Sequence, residues 1–140
     1  MKKIQGQPLP LGVTVSEERI NFSTAVPNGK ECRLLLYPVG EKTPCKSFDM
    51  QESLGEVRYI ALEDIDAGQY EYNYEIDGEV TPDYYGKAFA GRSVWGKASD
   101  ISKHEVRGVL CREDYDWEGD KRPSLAKNEV VAYSLHVRGF

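Results

Sequence analysis

At 140 residues with 40% hydrophobic side chains, the chain is long enough to bury one core and little more. It carries a net charge of −5, with a pI of about 5.1. Its longest basic run is Lys2-Lys3, far short of the clustered cations that a phosphate backbone requires, so nucleic acid is not an expected partner.

The first residues, MKKIQGQPLPLGV, place two lysines directly before the polar Gln5, Gly6 and Gln7. No apolar segment follows them as a secretory signal demands. No stretch approaches the roughly 18–20 apolar residues of a membrane span, so no membrane association is expected. Cys32, Cys45 and Cys111 are odd in number and lack C-x-x-C spacing. They read as three reduced thiols in a cytoplasmic protein, without structural zinc or any other metal or cofactor.

Alternation at period 2 dominates the chain. RINFSTAV (19–26) sends Ile20, Phe22 and Val26 to one side. CRLLLYPV (32–39) follows the turn-rich PNGKE, and KSFDM (46–50) carries Phe48 and Met50. EVRYIAL (56–62) and QYEYNYEI (69–76) alternate again, the second with Tyr70, Tyr72, Tyr74 and Ile76 on one face. Asp77-Gly78 is the dipeptide that a type I′ hairpin turn wants. EVTPD returns from it, and Pro82 restricts that return strand to an edge or to a short length. EVRGVL (105–110) is a further candidate. No helical window of convincing length appears beyond a turn near Asp64 or Ser99. Short strands at spacings of about 8–14 residues predict an all-β, immunoglobulin-like sandwich over about 8–111. REDYDWEGDKRPSLAKNE (112–129) is polar and broken by Pro123, and reads as a linker. The apolar VVAYSLHVRGF (130–140) stands apart beyond it.

Four pieces in this order carry a resemblance: DAGQYEYNYEIDGEVTPDYYGKA (66–88), AGRSVWG (90–96), YDWEGDKRP (115–123) and VVAYSLHVRGF (130–140). Together they resemble the N-terminal part of starch- and glycogen-debranching enzymes, the pullulanase and isoamylase type of the alpha-amylase superfamily. In that family a β-sandwich, classed as a family 48 carbohydrate-binding module, precedes a (β/α)8 barrel. The resemblance implies that 130–140 is the first strand of a barrel whose remainder lies beyond Phe140. Barrel strands are covered on both faces, which accounts for the apolar run.

For chemistry the implication is mostly negative. Retaining glycoside hydrolysis uses two carboxylates roughly 5–5.5 Å apart. The resemblance places the family's nucleophile, general acid and stabilising carboxylate after Phe140, so no catalytic residue is assigned here. The expected role is an accessory module of an α-1,6-glucan debranching enzyme, whose partners are its own barrel and, through the whole enzyme, α-glucan such as starch, glycogen or pullulan. Two rival readings are a stand-alone α-glucan-binding module and a generic immunoglobulin-like interaction domain.

Within that frame, Tyr84, Tyr85 and Trp95 are candidates for an exposed sugar platform or for packing on the barrel. The stripe Tyr70, Tyr72, Tyr74 reads as core. Sugar-binding relatives carry a Trp where Val80 stands, a second Trp near 41–47 and a Lys where Asn73 stands. These departures favour barrel docking as the module's main role. Trp117 and Asp116 in the linker, with His136 and Arg138 in the last strand, are candidates for that docking. DWEGD (116–120) alternates carboxylates like a calcium loop, but Gly119 is fourth rather than sixth and the twelfth residue is Lys127. The strand 130–137, separated from barrel neighbours, is expected to pair with another copy or with a sandwich edge.

Overall fold

Turn chemistry sets where the strands of this chain stop. The computed structural model describes residues 1–91, 106–112, 114 and 116–139. Among them eleven strands follow in chain order: β1 (Lys2–Ile4), β2 (Gly12–Val15), β3 (Arg19–Ala25), β4 (Cys32–Pro38), β5 (Lys46–Asp49), β6 (Glu52–Leu54), β7 (Val57–Glu63), β8 (Tyr70–Ile76), β9 (Glu79–Thr81), β10 (Phe89–Ala90) and β11 (Arg107–Val109).

Every pairing is antiparallel, and the strands form two sheets. The first runs β2-β3-β7, with β1 and β6 sharing the far edge of β7. The second runs β5-β4-β8, with β9 and β11 sharing the far edge of β8 and β10 outermost beside β11. This is the all-β, immunoglobulin-like sandwich that the alternation predicts. The turn expected near Asp64 is a single 3-10 turn, Ala67–Gln69, whose Gly68 N–H is taken by the Asp66 carboxylate at 2.9 Å; Ser99, the other position expected for a turn, lies outside the described residues.

Alternation delivers one buried cluster between the sheets. Ile20 and Phe22 come from β3, Ile60 and Leu62 from β7, Leu34 and Leu36 from β4, and Tyr72 and Tyr74 from β8. The tyrosine stripe is therefore core, with Tyr72 0% and Tyr74 1% exposed and Tyr70 packed against the cluster. Tyr72 meets Phe22 and Tyr74 edge-to-face at centroid distances of 5.3 and 5.8 Å, contacts worth about 0.5–1.5 kcal/mol each beyond burial. Gly108 lies opposite Tyr72 on β11, and a Cβ there would sit 2.3 Å from the ring. The ring thus occupies the space of the missing side chain.

The Asp77-Gly78 turn behaves as its sequence predicts, with φ of 49° and 81°. Asp77 also exchanges hydrogen bonds with Glu31, its carboxylate accepting from the Glu31 N–H at 2.9 Å and its own N–H donating to the Glu31 carbonyl at 3.1 Å. The hairpin tip is thereby stapled to the β3–β4 loop. Pro82 follows directly on the three-residue β9, which among the described residues pairs with β8 alone.

Two features go beyond the alternation pattern. The side of the second sheet facing away from the core is also buried, at Leu35, Tyr37, Glu71 and Asn73. The register pairs Leu35 with Asn73 and Tyr37 with Glu71. Arg107 covers this patch, 4.0 Å above the Tyr37 ring and 3.4 Å from the Glu71 carboxylate. It also donates to the carbonyls of Glu41 and Lys42, tying down the β4–β5 loop. The second feature is β1, which lies ahead of residue 8, where the sandwich was expected to start. Gln7 and Pro8 lie against β3: Gln7 exchanges two hydrogen bonds with Asn21, and the Ser23 hydroxyl donates to the Pro8 carbonyl. Lys3 donates to the Asp49 carbonyl at 2.7 Å, joining the edges of the two sheets.

Beyond β11 the described residues of 112–139 form no strand and are exposed from Arg112 on. One 3-10 turn, Lys127–Glu129, interrupts them. Residues 130–139 pair with no described strand. A strand is defined by its ladder, and none of the described residues supplies the neighbour.

Candidate functional site

Tyr84 and Tyr85, two of the three residues expected to meet a sugar, lie at the corner after β9. Pro82 ends the ladder, and Asp83 starts a tight turn. Its carboxylate accepts from the Tyr85 N–H at 2.9 Å, and its carbonyl accepts from the Gly86 N–H at 3.1 Å. Aspartate suits the first position of such a turn because its side chain can bond the backbone two residues on. Asp83 is itself 1% exposed, and its second oxygen accepts from the Tyr72 hydroxyl at 2.8 Å. The turn is thus anchored through Tyr72 to the centre of the sandwich.

Burial lifts the Asp83 carboxyl above its ordinary value of 3.8, opposed by the hydrogen bonds it accepts. Burial, aided by the nearby Asp83 charge, likewise raises the hydroxyls of Tyr72 and Tyr74. Both tyrosines therefore stay neutral, and Tyr72 acts as a donor. Gly12 of β2 backs the turn. Its φ is +92°, and a Cβ there would lie 2.5 Å from the Tyr85 carbonyl oxygen. Only glycine satisfies both demands.

The anchored turn presents Tyr84 and Tyr85 outward, 79% and 44% exposed. Phe89 adds a third exposed ring, lying against Gly86. Three rings on so short a segment form an apolar, aromatic surface suited to the C–H faces of a sugar or to a protein partner. Trp95, the third residue expected on this platform, lies outside the described residues. Asp83, which holds the platform, is not singled out by the sequence patterns, although its place before Tyr84-Tyr85 and after Pro82 is a turn signal.

The docking candidates lie elsewhere. Trp117 is 67% exposed at the tip of a turn in which Glu118 and Gly119 take φ of 50° and 79°. The Asp116 carboxylate accepts from the Glu118 N–H at 2.8 Å, so its role here is to shape that turn. His136 and Arg138 are exposed, and a turn joins the Gly139 N–H to the His136 carbonyl at 2.8 Å. Val130, Val131, Tyr133, Leu135 and Val137 are exposed with them. No described cluster of His, Cys, Asp or Glu has metal-binding geometry. Cys32, Cys45 and Cys111 are free thiols. No helix is long and apolar enough to cross a membrane.

No protein-family model matches the chain. Isoamylase 1, chloroplastic, of Arabidopsis thaliana is 29% identical over 96% of this chain and 20% of its own length. A glycogen debranching enzyme of Yersinia pseudotuberculosis is 27% identical over 96% of this chain and 23% of its own. The chain thus spans about a fifth of the curated relatives it matches. By shape, a pullulanase of Paenibacillus barengoltzii complexed with maltohexaose and α-cyclodextrin aligns at TM-score 0.65 and 23% identity, over 94% of this chain and 20% of that one. That likeness establishes the fold. Over nearly its whole length, then, this chain is related to a segment of debranching enzymes of the isoamylase and glycogen types.

Proposed function

We propose that this chain is the N-terminal accessory module of an α-1,6-glucan debranching glycoside hydrolase, in which it positions a catalytic barrel and contacts α-glucan at its Tyr84-Tyr85 corner. The observation that carries the reading is the alignment of 96% of the chain with a fifth of an isoamylase and of a glycogen debranching enzyme. Catalysis is assigned to the other four-fifths. Of the two buried carboxylates described, Glu71 is paired with Arg107 and Asp83 is sealed against Tyr72. Neither faces a partner acid across a cleft, as glycoside hydrolysis needs.

In this reading residues 130–139 enter the barrel, which covers their exposed apolar side chains, and Trp117 packs at the seam. Three free thiols favour a cytoplasmic protein. The exposed corner also supports sugar binding by the module itself. Titration calorimetry of the 140-residue chain with maltoheptaose and α-cyclodextrin tests this. Tyr84→Ala or Tyr85→Ala is expected to weaken binding roughly fivefold, as for one aromatic contact of about 1 kcal/mol. No heat at millimolar sugar removes the glycan contact and leaves positioning as the module's role.

A further inference from the structure

A second surface, at the Asp77-Gly78 end of the sandwich, bears on ligands of another kind. There a cavity of about 480 Å³ opens between the β3–β4 loop, the end of β5 and the start of β7. That volume falls within the roughly 300–1,000 Å³ of small-molecule sites. Cys32 and Met50, both buried, line it with their sulfurs 3.6 Å apart. Lys30, Arg33 and Arg58 bring three positive charges to its wall, against Glu31 and Asp49.

Most of these charges are already engaged. Arg33 is held by Asp49 at 2.9 Å and Glu75 at 3.4 Å, and Lys30 leans on Asp77 at 3.5 Å. Arg58 differs. It is half-buried, and its cross-strand neighbours are the uncharged Thr24 and Ser53. Among the described residues no carboxylate pairs with it, and its hydrogen-bond acceptor is the Lys30 carbonyl at the long distance of 3.5 Å. Its charge acts on the cavity, since it draws the Cys32 thiol down against the burial that pushes it up to about 12. In a chain of net charge −5, with acids outnumbering bases, a half-buried arginine left without an acid beside a cavity is poised for an anion from outside.

We infer that this cavity binds a small molecule bearing an oxyanion, a phosphate or a carboxylate, with the Arg58 guanidinium as its principal contact. The planar guanidinium fork matches both groups in two-pronged fashion. The apolar floor at Cys32 and Met50 leaves room for carbon attached to the anion.

Amide chemical shifts of the 140-residue chain, followed during titration with inorganic phosphate and separately with succinate, test the inference. Saturable shifts at Cys32, Met50, Gln51 and Arg58 are expected with at least one anion, and the arm that responds identifies the group. Arg58→Gln should weaken binding at least tenfold, whereas Arg19→Gln, on the outer side of the first sheet, should leave it unchanged. Should Arg58→Gln not fold, Arg58→Lys keeps the charge, removes the fork and should weaken binding several-fold. Absence of saturable shifts with either anion into the millimolar range, or equal binding by the folded Arg58 variants, overturns the inference.

Discussion

Asp83 accepts two hydrogen bonds in a nearly sealed site and has no cation beside it among the described residues. Asp83→Ala strands the Tyr72 hydroxyl and the Tyr85 N–H, and the expected loss is about 2–3 kcal/mol. Asp83→Asn removes the charge and keeps the Tyr85 contact through its amide oxygen, but reverses the other, its N–H donating to the Tyr72 oxygen, so stability near pH 7 should fall less than in Asp83→Ala. The pH dependence separates the two forms. Burial lifts the folded carboxyl above 3.8, so protonation is easier in the folded chain than in the unfolded one. Its contribution is fully present below the unfolded value and fades as pH rises through the folded one. Wild type should therefore gain stability relative to Asp83→Asn as pH falls toward about 4. Urea midpoints of both proteins at the two ends of this range check the sign, and a difference that does not move with pH would contradict the assignment. Tyr84 and Tyr85 were readable in the sequence as exposed rings, but their anchor was not. Alternation says which residues face inward; it does not say that a carboxylate eleven residues along the chain seals a core tyrosine.

Among the elements, the long strands β3, β4, β7 and β8 were legible because a half-buried strand writes a period of two into its sequence. β1, β2, β6 and β10 were not, since two to four residues carry no period and their positions are set by longer neighbours. The second buried layer had a trace in the unbroken run Leu34-Leu35-Leu36-Tyr37, which alternation alone does not account for. Residues 130–137 are the converse case, with strand-like composition and no described ladder. Their exposed Val131, Tyr133 and Val137 favour association with a second copy when the chain is isolated. Sedimentation of the 140-residue chain should show a concentration-dependent dimer that Val131→Lys with Val137→Lys abolishes. A monomer at all concentrations would show that this segment does not seek a partner strand.

At the scale of the whole molecule, the sandwich is a scaffold that spends its buried carboxylates on structure and offers surfaces: an aromatic corner, an arginine-lined cavity and an apolar C-terminal segment. This division of labour fits a module whose relatives are about five times longer. The fold followed from strand patterns and turn residues. The link to debranching enzymes followed from motif order, which composition and periodicity cannot supply. The most direct measurement is to read the coding sequence past the codon for residue 140. An open frame of several hundred codons is expected, with alternating strands and helices and a pair of carboxylates placed for glycoside hydrolysis. A stop codon at that point would contradict the accessory-module reading.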